Sequence, residues 1–362
     1  MSVADNLVGL ALKANKLPGA WKVLSKVERT EKHSGGGFSI GYAVEHTETG
    51  TAAFLKASDL DMMTDNTDGM LVRLTAASQM HTFERGILEH CKGNNMDRIV
   101  IPLDYGDCLM ASPQGVKEPL FWIAFEFANC DARVQRSRIS QYDFGWTANA
   151  MHNIAIAVEQ LHTANVCHND IKPSNVLVFD EAMQKLGDLG RAISPHFTCL
   201  HGKEICLGDP RYASPELLYE RDDTPPNFNA RKANDLFLLG SLGYFLVCGV
   251  MLTPSIVGQL KDEHRPVDGE RAWGDGFRAV LPFWRQAHQR AMNMLHETIP
   301  TDLRILNKDY GKLFIDAISQ LTEPDPELRG HPEERQGTYQ SHSLQRYISL
   351  FDRLRGLKKR TH

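Results

Sequence analysis

The sequence predicts an α+β fold, with a β-rich first third that carries one long helix and a mainly helical remainder. Three observations carry that expectation. Short β-like runs between Trp21 and Lys56 are broken by glycine and turn residues. After Asn129 the apolar residues recur every three or four positions. The composition, 42% hydrophobic and 23% charged over 362 residues, is that of a globular chain with material for a core.

Taken in order, Val3, Leu7, Leu10 and Ala11 stand at helical spacing and predict a helix over 3–16, ended by Pro18-Gly19. Trp21 to Lys56 reads as three strands separated by Gly35-Gly36-Gly37 and by the hairpin turn Thr47-Glu48-Thr49-Gly50. Residues 59–69 hold Asp59, Asp61, Asp65 and Asp68 but lack the closing Glu of an EF-hand, so they read as an acidic loop. A helix from Leu71 to Cys91 follows. Two apolar runs come next, Ile99–Leu103 and Phe121–Phe127, with a turn-rich stretch between them. Met151, Ile154, Ala155, Val158 and Leu161 form the buried stripe of a long helix. Further helices are expected near 233–252, 278–297, 311–321 and 341–357. The apolar run Leu236–Leu252 falls short of the roughly 20 residues a bilayer needs, so it reads as a buried central helix. The division expected is an N-terminal extension over 1–20, a first lobe over 21–128, a second lobe over 129–357 and a basic tail over 358–362.

A net charge of −5 and a single basic run, Lys358-Lys359-Arg360, argue against a nucleic-acid partner. No membrane span and no signal peptide over Met1–Leu17 are expected. Seven cysteines without C-x-x-C spacing favour a reducing compartment, the cytoplasm. Cys199 and Cys206 flank His201, but four ligands at zinc spacing are not present. Nothing in the pattern sets an oligomeric state.

The most specific segment runs Val166-Cys167-His168-Asn169-Asp170-Ile171-Lys172-Pro173-Ser174-Asn175-Val176-Leu177-Val178, followed after Asn175 by Asp188-Leu189-Gly190. Phosphoryl transfer asks for a carboxylate beside the attacking hydroxyl, a cation on the γ-phosphate and oxygen ligands for Mg²⁺. A loop offering Asp170, Lys172 and Asn175 can aim all three at one point. The stretch resembles the catalytic loop of the protein kinase superfamily, and Asp188-Leu189-Gly190 resembles its metal-binding D-F-G, with Leu for Phe. Gly208-Asp209-Pro210-Arg211-Tyr212-Ala213-Ser214-Pro215-Glu216 resembles the segment ending in A-P-E, and Asp325-Pro326-Glu327-Leu328-Arg329 resembles D-P-x-x-R.

That resemblance implies a bilobal eukaryotic-like Ser/Thr protein kinase using ATP and Mg²⁺ on a protein Ser or Thr hydroxyl. Asp170 would orient the acceptor and Lys172, two residues on as in the Ser/Thr class, would offset charge on the phosphoryl group. Asn175 and Asp188 would hold Mg²⁺. His168, Asp235 and the pair Glu216–Arg329 would be structural braces, Asp235 beneath the catalytic-loop backbone. In the first lobe, Gly35, Gly36, Gly37 and Phe38 resemble the glycine-rich loop, and Lys56 the phosphate-anchoring lysine. Glu84 would be its ion-pair partner, with Glu89 the alternative. Phe125 would flank the adenine pocket, and the backbone of Glu126 to Ala128 would bond the base.

Four residues depart from the family pattern. Ser39 stands where the last glycine of the loop belongs. Asn169 replaces the usual Arg, which in relatives binds a phosphorylated activation loop, so control through that loop is not expected even with Ser194 and Thr198 present. Phe54 shares the strand face of Lys56 and narrows the nucleotide pocket, and Asp209 replaces a Thr. Two other readings remain: a silent pseudokinase scaffold, and a small-molecule kinase of the antibiotic- or choline-phosphorylating type.

Overall fold

The computed structural model describes residues 2–27, 39–60, 69–111, 115, 117–139, 143–199, 201–219, 225–266, 276–299, 308–336 and 342–356. Gly35, Gly36, Gly37 and Phe38 of the glycine-rich stretch, Asp61, Asp65 and Asp68 of the acidic loop, and the basic tail lie outside them. The chain divides into two compact units, residues 1–129 with 196–200, and residues 130–195 with 201–362.

The first unit is built on strands β1 (Ala11–Lys13), β2 (Ala20–Lys26), β3 (Ser39–His46), β4 (Ala52–Ser58), β5 (Pro102–Ala111) and β6 (Lys117–Glu126) and, among the described residues, one α-helix, α1 (Met70–Gly93). The strands form one antiparallel sheet in the order β1-β2-β3-β4-β6-β5. Period-2 alternation explains which side each residue takes. Ile40, Tyr42 and Val44 of β3 and Ala53, Leu55 and Ala57 of β4 are buried in one core with Trp21, Val23 and Trp122. Phe54 and Lys56 alternate with them and take the other face.

Two expectations fail here. Residues 3–16 are not a helix: a single 3₁₀ turn at Val3–Asp5 is followed by strand β1. Leu10 and Ala11, half of the supposed stripe, are exposed, while Leu12 and Ala14 are buried at strand spacing. The stretch expected to be turn-rich is strand on both sides, because β5 runs to Ala111 and β6 begins at Lys117. Asp104, a poor strand former, is kept in β5 by four N–H donors: the backbone of Asn15, Lys16 and Tyr105, and Trp21 Nε1.

The second unit holds strands β7 (Cys130–Asp131), β8 (Val176–Val178) and β9 (Gln184–Leu186). Its helices are α2 (Ala132–Arg138), α3 (Phe144–Thr163), α4 (Pro215–Tyr219), α5 (Phe228–Cys248), α6 (Leu252–Val257), α7 (Phe277–Thr298), α8 (Lys308–Leu321) and α9 (Gln345–Arg355). Capping follows the local sequence. Asp143 accepts from Trp146 N at the start of α3, and Asn227 accepts from Ala230 N at the start of α5. Gly249, at φ +74°, closes α5. As expected, α5 is buried along most of its length. Among the described residues no helix is long and apolar enough to cross a membrane.

Burial also sets a pH dependence. His288 of α7 donates through Nε2 to Thr322 Oγ1 at 2.8 Å, since the Thr322 hydroxyl itself donates to Ile318 O. Burial, then the charge of Arg329, pushes the His288 imidazole from its ordinary 6.5 down to about 4. Burial, then Arg85, does the same to His81 of α1, to about 4. Between those values the unfolded chain binds more protons than the folded one. Stability is therefore full above about pH 6.5 and falls toward pH 4, by up to about 1.4 kcal/mol per pH unit for each such group. Urea unfolding midpoints measured down this range should drop, and His288→Gln should flatten the drop. A wild-type midpoint that does not move would rule this out.

Candidate active site

The loop after α3 is positioned from three directions. Asn165, at φ +56°, turns the chain out of the helix. Cys167 and Ile193 then exchange both backbone hydrogen bonds at 2.9 Å. Beneath the loop, Asp235 of α5 is wholly buried and accepts His168 N at 2.8 Å and Asn169 N at 2.7 Å, with His162 Nε2 at 3.0 Å from the same carboxylate. His168 is pinned at both ring nitrogens. Its Nδ1 accepts Asp170 N at 3.2 Å, so Nε2 carries the proton and donates to Gly187 O at 3.0 Å.

This scaffold brings Asp170, Lys172 and Asn175 together, all buried. Lys172 Nζ lies 2.8 Å from Asp170 Oδ2. Asn175 Nδ2 donates to Asp170 O at 2.8 Å and to Asp170 Oδ2 at 3.1 Å. Asp170 Oδ1 accepts Asp209 N at 3.2 Å. That approach requires glycine at 208, because a Cβ there would stand 2.4 Å from Asn169 O and 2.8 Å from Asp170 Oδ1. Burial raises the Asp170 carboxyl above its ordinary value, and the neighbouring Lys172 ammonium opposes the rise.

Backbone strain gathers at the same place. Asn169 has φ +61° and Asp188 has φ +63°, in the left-handed region that Asn and Asp tolerate best among non-glycine residues. This gives Asn169 a physical account: the position needs a residue at ease with positive φ, and its side chain turns inward to donate to Cys167 O at 3.1 Å. Of the two hydroxyls named as loop phosphorylation candidates, Ser194 is buried and Thr198 exposed.

The other three departures are also placed, and Ser39 opens β3 opposite Ser58 of β4. Asp209 directs its carboxylate to Arg211, at 3.0 Å from Nε and 2.6 Å from Nη2. Burial works to raise the Asp209 carboxyl, but the Arg211 hydrogen bonds and charge outweigh it and leave the group below its ordinary value. Phe54 lies across the strand pair against Gly41.

In the first unit Lys56 Nζ of β4 meets Glu84 Oε1 of α1 at 2.8 Å, whereas Glu89, the alternative partner, pairs with Lys16 at 2.6 Å. Phe125 is buried, and Glu126 Oε1 accepts Ile101 N at 3.1 Å. Ala128 follows the end of β6.

In the second unit Glu216 and Arg329 form a bidentate pair at 2.7 and 2.8 Å. The sequence reading missed the buried hub at Asp104. A carboxylate followed by an aromatic in a turn-like string carries no signal of its four donors.

Hydrogen bonds engage ligand atoms in both clusters that invite a metal reading. Ligand atoms of His162, Cys167 and Asp235 lie within 4.8 Å of one another, but both Asp235 oxygens already hold the loop backbone. His201 Nδ1 pairs with Glu204, and the Cys206 thiol donates to Gly208 O.

Comparison with known proteins agrees with this geometry. A model described as the protein kinase domain matches residues 34–330. The phosphorylase b kinase gamma catalytic chain, liver/testis isoform, of Mus musculus is 28% identical over 188 residues, which is 51% of this chain and 37% of that relative. The serine/threonine-protein kinase DCLK1 of Rattus norvegicus is 31% identical over 126 residues, 33% of this chain and 25% of the relative. The human 3-phosphoinositide-dependent protein kinase 1 is 32% identical over 115 residues, 31% and 19% respectively. The matched stretch thus spans well under half the length of each of these relatives.

Proposed function

The chain belongs to the protein kinase family, and from that premise we propose that it transfers the γ-phosphoryl of ATP, with Mg²⁺, to a Ser or Thr hydroxyl of a protein. The observation that carries this reading is the meeting of Asp170, Lys172 and Asn175 within hydrogen-bonding distance on a braced loop. Asp170 accepts or orients the hydroxyl proton, and Lys172 offsets negative charge on the transferring group. Lys56, held by Glu84, anchors the nucleotide phosphates.

The donor set fits Mg²⁺. Asn175 spends its amide N–H groups on Asp170, so the atom able to serve a cation is Oδ1, a hard oxygen that accepts a long hydrogen bond from the Ser174 hydroxyl at 3.3 Å and has a second lone pair. Asp188 supplies a carboxylate. When bound, the ion would neutralise charge on the phosphates. All seven cysteines are free thiols, in keeping with the reducing, cytoplasmic setting that we include in the proposal.

The test is incubation with γ-labelled ATP and Mg²⁺, followed by identification of the labelled residues. Label on Ser or Thr is expected for the wild type, and Asp188→Ala should abolish it because the change removes a metal ligand rather than core packing. Wild-type protein that binds partners but transfers no label would favour the pseudokinase scaffold, for which Phe54 is the motivating residue. Undiminished turnover by purified Asp188→Ala would overturn the metal assignment.

A further inference from the structure

Residues ahead of the family match at 34–330 are built into the first unit rather than hung from it. Val3, Ala4 and Leu7 are buried in the same core as Tyr42 and Trp122, and Tyr42 donates its hydroxyl hydrogen to Ala4 O at 2.5 Å. Leu12 of strand β1 and Ala14, just past the strand, join that core. The segment then reaches the other end of the sheet. Asp104 of β5, only 2% exposed, accepts Asn15 N at 3.0 Å, Lys16 N at 3.2 Å and Trp21 Nε1 at 2.9 Å. Asn15 Nδ2 donates to Tyr105 O at 2.7 Å. Its seat exists because residue 106 is glycine: a Cβ there would stand 2.5 Å from Asn15 Nδ2 and 2.7 Å from the Trp122 ring.

With its backbone fixed in this way, Lys16 extends to α1. Its Nζ is 2.6 Å from Glu89 Oε1 and 4.4 Å from the centroid of the Tyr105 ring, over which Arg85 of α1 also lies at 5.0 Å. Arg85 and Glu89 stand within a turn and a half of Glu84, the partner of Lys56. The helix needs such a hold. It starts at Gly69 with no side-chain cap, Met70, Leu71 and Val72 are exposed, and all but one of its buried residues come from His81 onward.

We propose that residues 2–16 are a strap that positions α1 so that Glu84 meets Lys56, with Lys16 as the positioning residue at its end. The proposal rests on the kinase reading for its kinetic consequence and on the first unit alone for its structural one.

The test uses the full chain in three variants: Lys16→Glu, Glu89→Lys, and the two together. Each single change sets like charges against each other, and the double change restores an opposite-charge pair. Hydrogen exchange of the amides over residues 84–91 should speed up by about three- to five-fold in each single variant and return toward wild type in the double, a size set by a partly exposed ion pair. The KM for ATP should rise by the same factor while kcat changes less. A variant that merely lost folded enzyme would lower kcat and leave KM alone. Unchanged exchange in Lys16→Glu, or a double variant no better than the singles, overturns the strap. If the wild type proves unable to transfer phosphate, the kinase reading falls by itself, and the exchange data still decide whether Lys16 holds α1.

Discussion

Asp170→Asn should lower the rate of phosphate transfer by about a hundred- to ten-thousand-fold, the range attached to a positioned acid–base group, while the fold persists. The substitution keeps the shape of the side chain and removes its charge. An amide oxygen can still accept Asp209 N, and the Asp170 carbonyl still accepts Asn175 Nδ2. Burial already disfavours the charged form of Asp170, so the neutral variant sheds that penalty. Lys172 loses its ion-pair partner but keeps the nearby negative charge of Asp209. What disappears is the group able to take a proton from an acceptor hydroxyl. Labelled-phosphate transfer and near-ultraviolet circular dichroism on the same preparation check both halves. Transfer within about ten-fold of wild type, a loss of only ~1.4 kcal/mol, would show that Asp170 is not the acid–base group. By the same burial the acidic limb of the wild-type rate profile should lie above 3.8, the ordinary value of the carboxyl.

The second unit was far more legible in the sequence than the first, and the reason is physical. A braced loop must deliver several polar groups to one point within a few residues, so its requirements are written as a short string with fixed spacing. Asp170, Lys172 and Asn175 lie within six positions, and that they could meet was legible for that reason, whereas Asp235, inside α5, was picked out by resemblance to the family alone. The first unit relies on long-range pairing, which leaves little local trace. Strand β1 is three residues long, too short for alternation to stand out, and its neighbours Val3, Leu7 and Leu10 mimic a helical stripe by coincidence. Strand β5 carries Asp104, Gly106 and Asp107, each unfavourable in a strand, and is held by partners some 80 to 90 positions away. Even so, the choice between Glu84 and Glu89 could be posed from spacing, and packing supplied the answer by giving Glu89 to Lys16.

Asn169 carries the same lesson in another form. Sequence comparison by motif presents it as a loss, because an Arg is missing. The backbone presents it as a fit, because φ +61° costs Asn little, and Asp188, the other strained residue beside the loop, belongs to the same tolerant class. What a motif demands of the side chain and what the chain path demands of the backbone are separate constraints, and only the first can be read along the sequence.

Arg329→Ala should be among the most destabilising single changes in the second unit, at about 3–5 kcal/mol. Arg329 is 1% exposed, and all five guanidinium N–H groups are engaged. Two bond Glu216 at 2.7 and 2.8 Å, and the others reach Ala233 O at 3.1 Å, Pro324 O at 3.1 Å and Glu323 O at 2.9 Å. Truncation strands the Glu216 carboxylate in a buried site where, among the described residues, only Ser214 Oγ, at 2.8 Å, still donates to it, and it leaves three backbone carbonyls without this donor. Arg329→Lys keeps the charge but lacks the fork, so it should recover only part of the loss. If the cost lies in the stranded charge rather than in an intrinsic strength of the pair, then Arg329→Met with Glu216→Gln should be less destabilised than Arg329→Ala alone. Urea unfolding of the four proteins separates these contributions. An Arg329→Ala cost below about 1 kcal/mol, the value of an exposed pair, would mean that the bidentate bond does not hold the Pro215–Tyr219 helix to the loop that carries Arg329.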